Sequence, residues 1–298
     1  MDDDVFKADR PLLFSIAYRM LGSASEAEDV LQDAWLRCRG VDLTAIRSLT
    51  AFARTTVTRL CLDRLKSARM TREVYLGPWL PEPVLTSELG SPDSVMQRAE
   101  SLTLAFLVLL ETLSPEQRAA FLLNEVFGYE HAEIAEMLGT TPENSRQLLR
   151  RAKARLVQGR PRLTGTAQSR RVVAERFARA LSSGDGSELV SLLTKDVEVW
   201  SDGGGKASAA RRPLVGRDQV LSFLIGLRRT AGSAGWLTGD LSLRIADVNC
   251  EPALVVRVRG RLESIFVLSI AQDAIAEIRI ARNPEKLARI DRHLSALH

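Results

Sequence analysis

The stretch LSPEQRAAFLLNEVFGYEHAEIAEMLGTTPENSRQLLRRAKARL, residues 113–156, carries the pattern of three successive helices. Apolar residues recur at helical spacing in its first two parts. Gly139 is placed to end the second helix, because glycine adopts the left-handed conformation at little cost. The third helix begins at once, either with Thr140 in a capping box or with Thr141 as the cap and Pro142 at the first helical position. The sequence therefore predicts two helices joined by a tight turn.

The third predicted helix has an apolar face and a basic face. An inward stripe recurs at steps of three and four, at Ser145, Leu149, Ala152 and Leu156. The candidates for DNA binding project elsewhere, at Asn144, Arg146, Gln147, Arg150, Arg151 and Lys153. This pattern is typical of a helix-turn-helix whose second helix enters the major groove, where arginine can grip guanine and glutamine can grip adenine. A basic helix that merely faces solvent is the alternative.

Composition describes a globular protein of two or three domains. The chain has 298 residues, of which 45% are apolar and 26% are charged, and its net charge is +4. The three cysteines, Cys38, Cys61 and Cys250, form no CxxC pair, which argues against a zinc site or disulfides and favours a reduced, cytoplasmic setting. With no nucleotide-binding loop either, neither cofactor nor metal is expected. The acidic start and the short apolar runs predict no signal sequence and no membrane contact.

The N-terminal domain, residues 1–75, includes an acidic helix, SASEAEDVLQDAWLRC at 23–38, with Ser25 and Glu28 as a candidate capping box. The expected buried stripe is Ala27, Val30, Leu31, Ala34 and Cys38. The opposite side combines acids with large apolar residues, which fits a protein partner as well as a solvated face. The candidate partner-binding residues are Asp29, Gln32, Asp33, Trp35 and Leu36.

A basic helix follows the loop at 39–47, and its sequence is LTAFARTTVTRLCLDRLKSARMTRE. Its basic residues suit phosphate contacts, which are electrostatic and sensitive to salt. The candidate DNA-binding residues on it are Arg59, Arg64, Lys66 and Arg69.

Proline and glycine mark residues 76–100 as a linker. Its apolar motif WLPEP comprises Trp79, Leu80, Pro81, Glu82 and Pro83. Two interpretations stay open. Either the tryptophan packs on its own domain, or this stiff peptide is recognised by another surface of the protein or of a partner.

The helical blocks, in the order AEDVLQDAWLRC, AFARTTVTRLCLDRLKSAR and the 113–156 stretch, resemble the extracytoplasmic-function sigma factors of bacteria. The resemblance implies that region 2 (residues 1–75) binds core RNA polymerase through the acidic helix. It also implies that the Leu43–Arg72 stretch melts and reads the −10 element of promoter DNA. Region 4, residues 101–160, is then implied to read the −35 element. The chain departs from the family pattern at Ser145, where an apolar residue is common, and at Leu148, where a basic one is.

The last part, residues 168–298, has helices first and alternating strands afterwards, which predicts an α+β domain with an antiparallel sheet. It resembles the cone-shaped SnoaL-like folds. Sigma factors with this extension, the SigJ-like subgroup, share three motifs with this chain: WLPEP, DGGGK at 202–206 and NPEKL at 283–287. The implied architecture is two all-α domains followed by an α+β domain that regulates them in cis.

The two later motifs supply the remaining candidate residues, which are Asp202, Gly203, Gly204, Gly205, Lys206, Asn283, Pro284, Glu285, Lys286 and Leu287. Three successive glycines indicate a backbone that bends tightly or admits a close neighbour. The linker is therefore predicted to lie against DGGGK, with NPEKL close by and Lys206 paired with Glu82. Asp202 beside Trp200 is the obvious acid for catalysis, but no histidine lies near it, so docking is favoured and no enzyme is expected.

Three alternatives remain at this point. The chain is a helix-turn-helix regulator that works without polymerase, a DNA-binding module fused to a cyclase-like or isomerase-like domain, or a sigma factor whose last domain senses a small ligand. The acidic helix separates the first from a sigma factor, because a simple repressor has no need of it.

Overall fold

The computed structural model describes residues 2–39, 48–72, 75–89, 99–156, 164–231 and 241–296. The chain divides into two compact units. The first comprises residues 1–74 and 87–160, and the second comprises residues 75–86 and 161–298. The whole WLPEP motif, residues 79–83, thus belongs to the same unit as the C-terminal domain, whereas the linker from residue 87 onward belongs to the first unit.

The described part of the first unit is helical. Its helices are α1 (Asp2–Leu21), α2 (Ala24–Arg39), α3 (Leu49–Arg72), α4 (Leu104–Leu110), α5 (Pro115–Phe121), α6 (His131–Leu138) and α7 (Pro142–Leu156). A π-helical turn, Leu122–Val126, continues α5. The predicted inward stripe of α2 is buried in full, at Ala27, Val30, Leu31, Ala34 and Cys38.

The turn between α6 and α7 has the predicted chemistry. Gly139 ends α6 with φ 65°, in the left-handed region. Of the two caps left open for α7, the structure has Thr141, whose Oγ1 accepts from the backbone N–H of Asn144 at 3.2 Å, with Pro142 at the first helical position. At α2 the predicted capping box is wrong. The cap is Ser23, whose Oγ accepts from Glu26 N at 3.2 Å, so Ser25 lies inside the helix.

The second unit is an α+β domain. Its helices are α8 (Ala167–Ser183), α9 (Gly186–Leu192), α10 (Arg217–Ala231) and α11 (Pro284–Ala296). Its strands are β1 (Leu193–Asp202), β2 (Leu214–Val215), β3 (Leu241–Val248), β4 (Glu251–Val258), β5 (Arg261–Ala271) and β6 (Ala274–Ala281). They form one six-stranded sheet in the order β2-β1-β6-β5-β4-β3.

The sheet is mixed, so the expectation of an antiparallel sheet is wrong at one pairing. β1 lies parallel to β6, with Trp200 opposite Arg279 and Asp202 opposite Ala281. This pairing joins strands far apart in the chain, as parallel strands require. It places the end of β1 beside the start of α11, and so it brings DGGGK next to NPEKL.

One face of the sheet packs on the helices as the alternating pattern predicts, with Leu254, Phe266, Leu268, Ile278 and Ile280 in a single core. The other face is covered as well, since Val255, Ile265 and Val267 are also buried. Within the described residues, no helix is both long and apolar enough to span a membrane.

Candidate nucleic-acid interface and linker site

The outer face of α7 carries the predicted DNA-binding side chains. The stripe Ser145, Leu149, Ala152 and Leu156 is buried, so the six candidates turn outward, and all six are exposed. Gln147, Arg150 and Arg151 have no polar partner among the described residues. Two of the others lie in exposed ion pairs, Arg146 with Glu143 at 3.6 Å and Lys153 with Glu125 at 2.7 Å. Such pairs contribute only about 0–1 kcal/mol, so DNA phosphates can compete for both cations.

Asn144 is differently placed. Its side-chain amide donates to Thr140 Oγ1 at 2.7 Å, which fixes it at the turn before α7.

The two departures from the family pattern have local explanations. Ser145 is fully buried, and its Oγ lies 3.0 Å from Nδ1 of His131, so a hydrogen bond between α6 and α7 replaces an apolar contact. Leu148 is half-buried and packs against the cluster of Ala120, Leu123, Ile134 and Met137. Both residues therefore help to hold α7 on the rest of the helix-turn-helix.

The acidic helix α2 presents its five candidate residues as expected. Asp29, Gln32 and Asp33 are exposed, and Leu36 keeps 55% of its surface in solvent. Trp35 is half-buried, with the guanidinium of Arg39 centred 4.8 Å from its ring. Acids, a tryptophan and an exposed leucine thus share one helix face.

The basic residues of α3 differ in what they contact. Arg64 bridges two acids of α2, since it lies 3.1 Å from Asp33 and 3.5 Å from Asp29. Lys66 pairs with Glu116 at 3.2 Å, with both side chains largely exposed. Arg69 lies on α3, but its side chain is outside the described part of the structure, as is the loop at 40–47.

Arg59 of α3 is hydrogen-bonded to backbone carbonyls of α6. Its guanidinium donates to the carbonyls of Met137 at 3.1 Å and Glu136 at 2.9 Å, in the last turn of α6. Cations are favoured at a helix C-terminus, where carbonyls lack helical partners. Arg59, which the sequence predicts to contact the −10 element, is therefore hydrogen-bonded to the helix-turn-helix of the same unit.

In the second unit the linker is anchored on Asp202, whose side chain is fully buried. Its carboxylate accepts from Tyr75 Oη at 2.6 Å, Leu80 N at 2.9 Å, Gly204 N at 2.9 Å and Lys286 Nζ at 2.7 Å. A buried carboxylate is tolerated when it is paired and fully hydrogen-bonded. All three sequence motifs thus contribute to one polar cluster.

Lys286 completes the cluster. Its ammonium also donates to the carbonyl of Leu80. It lies 4.4 Å from the ring centre of Trp79 and 5.0 Å from that of Tyr75, so two aromatic faces flank the charge.

Two glycines of DGGGK are required because neighbouring groups lie too close to their backbone for a side chain to fit. Gly204 has φ 60°, and a Cβ atom there would overlap the side-chain amide of Asn283. At Gly203 a Cβ atom would overlap the carbonyl of Ala207. The Asn283 amide in turn donates to Tyr75 Oη at 3.1 Å. The glycine run therefore admits a neighbour, as its sequence predicts.

Beyond WLPEP the linker pairs with the turn between β3 and β4. Val84 and Asn249 exchange two hydrogen bonds, Val84 N to Asn249 Oδ1 at 3.0 Å and Asn249 N to Val84 O at 2.9 Å. Leu85 forms a bridge with Val248, and Cys250 N donates to Thr86 Oγ1 at 3.0 Å. This second anchor was not expected from the sequence.

The predicted pair of Lys206 with Glu82 is wrong. Lys206 pairs with Glu285 of NPEKL, and both side chains are at least half exposed. Glu82 is buried instead, with the prolines on either side of it, Pro81 and Pro83. Leu287 is buried in α11, which begins at Pro284.

Tyr75 was missed by the sequence reasoning. Burial raises the pKa of Tyr75 above its ordinary value, and the hydrogen bond to Asp202 has a smaller effect in the same direction. The phenol therefore stays protonated and donates. The available signal was an aromatic residue shortly before a proline-stiffened motif. Its partner, more than a hundred residues away, had no local signature.

Comparison with known proteins agrees with this geometry. Residues 5–71 match the model of sigma-70 region 2, and residues 103–156 match that of sigma-70, region 4. The chain is 35% identical to the ECF RNA polymerase sigma factor SigJ of Mycobacterium tuberculosis, over 96% of this chain and 93% of that protein. It is 29% identical to the probable ECF sigma factor SigI of the same species, over 95% and 93%.

Among solved structures, the crystal structure of the Mycobacterium tuberculosis sigma factor SigJ is similar along nearly the whole chain. The TM-score is 0.74 at 33% sequence identity, with 96% of this chain and 98% of that chain covered. Both similarities extend through the C-terminal domain as well as the two sigma regions. The chain therefore belongs to the extracytoplasmic-function family of RNA polymerase sigma factors.

Proposed function

We propose that this chain is a promoter-specificity subunit of bacterial RNA polymerase, which binds the core enzyme and directs it to its promoters. The observation that carries the proposal is the presence, in one helical unit, of an exposed basic recognition face on α7 and an exposed acidic and apolar face on α2. A cytoplasmic location follows from this role, since polymerase and promoter DNA are there.

The basic face of α7 is proposed to read the −35 element. Gln147, Arg150 and Arg151 are exposed and have no described partner, so they can reach base edges and phosphates without breaking an internal contact. Bidentate bonds from arginine to guanine and from glutamine to adenine would supply the base discrimination. Arg146 and Lys153 would exchange weak exposed pairs for phosphates.

The acidic face of α2 is proposed to bind core polymerase. Interfaces favour a large apolar residue surrounded by polar ones, and Leu36 and Trp35 lie beside three polar side chains here. Arg64 already pairs with Asp29 and Asp33, which supports a role for this arginine in orienting the acids as well as in contacting DNA.

Promoter melting by α3 is proposed to need a rearrangement. Arg59 cannot contact DNA while its guanidinium is bonded to the end of α6. We therefore infer two states of the first unit, one with α6 on α3 and one with α3 free, and core polymerase and DNA would favour the second.

Regulation in cis is proposed to act through the linker. Tyr75 and Leu80 donate to Asp202, so residues 75–86 are held on the C-terminal domain. Because this segment connects region 2 to region 4, its release lengthens the free chain between them. The same geometry supports a role other than catalysis for Asp202, since its carboxylate is already engaged by four donors.

Run-off transcription with purified core polymerase tests the proposal. We expect promoter-dependent transcripts with the full chain, and a strong change when the chain is truncated before Gln168. Specific DNA binding without co-purification of core polymerase would instead indicate a polymerase-independent regulator. Turnover by the C-terminal domain would indicate an enzyme.

A second role, sensing of a small ligand, is favoured by one observation. The second unit contains a partly open cavity of about 760 Å³ between α10 and the sheet. Its volume lies within the range of small-molecule sites.

A further inference from the structure

The cavity in the second unit has an apolar body and one polar end. The body is lined by Leu214, Phe223, Leu227, Val256, Phe266 and Ile280, among others. The polar residues that line the cavity include Ser201, Ser264 and Arg282. Such a mixture is typical of a site that takes a mostly apolar molecule and orients it by a few polar contacts.

Ser201 is the feature that points to a ligand. Its side chain is 1% exposed, it lines the cavity, and its Oγ has no hydrogen-bond partner among the described residues. A buried hydroxyl without a partner costs free energy, and natural proteins seldom leave one in that state. An acceptor atom in the cavity would satisfy it.

The charge at this end is already neutralised. Arg282 donates to Glu263 and to the carbonyl of Ser208, so the cavity wall carries an ion pair and no net charge. This favours a neutral ligand over an anion, because an anion would have to compete with Glu263 and lose its hydration as well.

The polar end adjoins the linker anchor through the backbone. Ser201 directly precedes Asp202 in β1, and side chains alternate along a strand, so the two point to opposite faces of the sheet. Likewise Arg282 precedes Asn283, and the backbone N–H groups of both donate to the Asp202 carbonyl, at 2.7 and 2.9 Å. A molecule that packs on Ser201 therefore stiffens the peptide that carries the anchor.

We propose that this cavity binds a small, neutral, mainly apolar molecule whose hydroxyl or carbonyl oxygen accepts from Ser201, and that its binding favours the docked linker. We expect ligand binding to favour docking and not to oppose it, because a ligand that rigidifies the end of β1 lowers the entropy cost of ordering the linker on it. Ligand binding stands on the cavity alone, whereas its regulatory effect rests on the proposed function.

Binding is tested with the probe 6-propionyl-2-dimethylaminonaphthalene, a neutral fused-ring molecule with one carbonyl, on the full chain. We expect saturable binding with a blue-shifted emission. Gly226 lines the cavity from α10, and a Cβ atom there would meet no described residue within 4 Å. Gly226→Leu should therefore occupy part of the cavity and strongly weaken saturable binding, while the melting temperature should not fall, because leucine favours helix more than glycine does.

The matched control is Gly186→Leu, at another helical glycine whose Cβ would meet no described residue within 4 Å and which is not among the residues that line the cavity. It should bind the probe as the wild type does. Ser201→Ala should weaken binding about fivefold through the lost hydrogen bond. The site is refuted if the wild type does not saturate or if Gly226→Leu binds equally well. An unchanged affinity in Ser201→Ala would overturn the assigned ligand orientation.

Hydrogen exchange separates the regulatory effect from binding. Amides of residues 75–86 should exchange more slowly when the probe is bound, and this should not occur in Gly226→Leu. Saturable binding with unchanged exchange would overturn the coupling and leave the sigma-factor function intact, because that function is tested by transcription without the probe.

Discussion

The ammonium of Lys286 lies 2.7 Å from Oδ2 of Asp202, joining two residues 84 positions apart in a pair whose carboxylate is fully buried. Both partners also bond to Leu80 of the linker, so this pair holds three separate segments together. A buried ion pair adds little folding stability compared with well-packed apolar residues in its place. Removal of one partner is nevertheless strongly destabilising, because the other is left buried without a counter-charge.

Lys286→Met should therefore destabilise the second unit by about 3–5 kcal/mol, because it removes one partner of a buried ion pair and leaves the Asp202 carboxylate without a cation. Chemical denaturation of the full chain measures this change. Lys206→Met is the matched control, since its pair with Glu285 is exposed and should change stability by about 0–1 kcal/mol. Equal effects of the two substitutions would contradict the assigned role of Lys286.

Tyr75→Phe should change how stability depends on pH. The raised pKa of Tyr75 means that its contribution is complete below the pKa of the unfolded phenol, about 10, and is lost as pH rises through the folded value. The difference in unfolding free energy between wild type and Tyr75→Phe should thus shrink above pH ~10, by about 1.4 kcal/mol per pH unit. Parallel stability curves from pH 8 to 11 would show that the pKa of Tyr75 is not raised, and hence that its phenol is not buried against Asp202.

Arg150→Ala tests the recognition face of α7. If Arg150 reads a base edge, promoter discrimination should fall by about 1–3 kcal/mol, as measured by binding to matched and altered −35 sequences. A phosphate contact would instead weaken all sequences equally and lower the salt slope. Arg155→Ala is the control on the same helix, because Arg155 donates to the carbonyl of Thr112 at 3.0 Å and should not affect discrimination. Should Arg150→Ala alter neither affinity nor slope, this face does not enter the groove.

Asp33→Arg should weaken binding to core polymerase, because an exposed acid is replaced by a repulsive charge. Pull-down with purified core enzyme measures the loss, and circular dichroism checks the fold. Since Asp33 also pairs with Arg64, Arg64→Ala serves as the control that breaks this pair and keeps the acid. Normal affinity in Asp33→Arg would remove Asp33 from the interface, and an equal loss in Arg64→Ala would assign the effect to the internal pair.

Trp79→Ala should raise transcription by weakening the docked linker, as should removal of the segment from Asn283 onward. Trp79 flanks the Lys286 ammonium, so Trp79→Ala removes a cation–π contact worth about 0.5–2 kcal/mol. The population of the docked state should fall by the factor that this free energy implies. Leu76→Ala is the control, because that linker side chain is 57% exposed. If Trp79→Ala transcribes like the wild type, and Trp79 is equally exposed with and without the C-terminal domain, linker gating is refuted.

The sequence by itself determined the elements whose signals are local. The buried stripe of α7, the glycine that ends α6 and the core positions of β4 to β6 follow from periodicity and turn chemistry within a few residues. The closeness of the three motifs was likewise expected, but from the family resemblance and the run of glycines.

The tertiary structure alone decided which partners meet across the chain. Lys206 pairs with Glu285 and not with Glu82, Arg59 bonds to the end of α6, and β1 lies parallel to β6. Tyr75 and Asn249 also hold the linker, and the sequence around neither residue identifies its distant partner. Local patterns specify which face of an element is apolar. The partner of a charged or polar side chain depends on how distant elements pack, and that packing is set by the whole core.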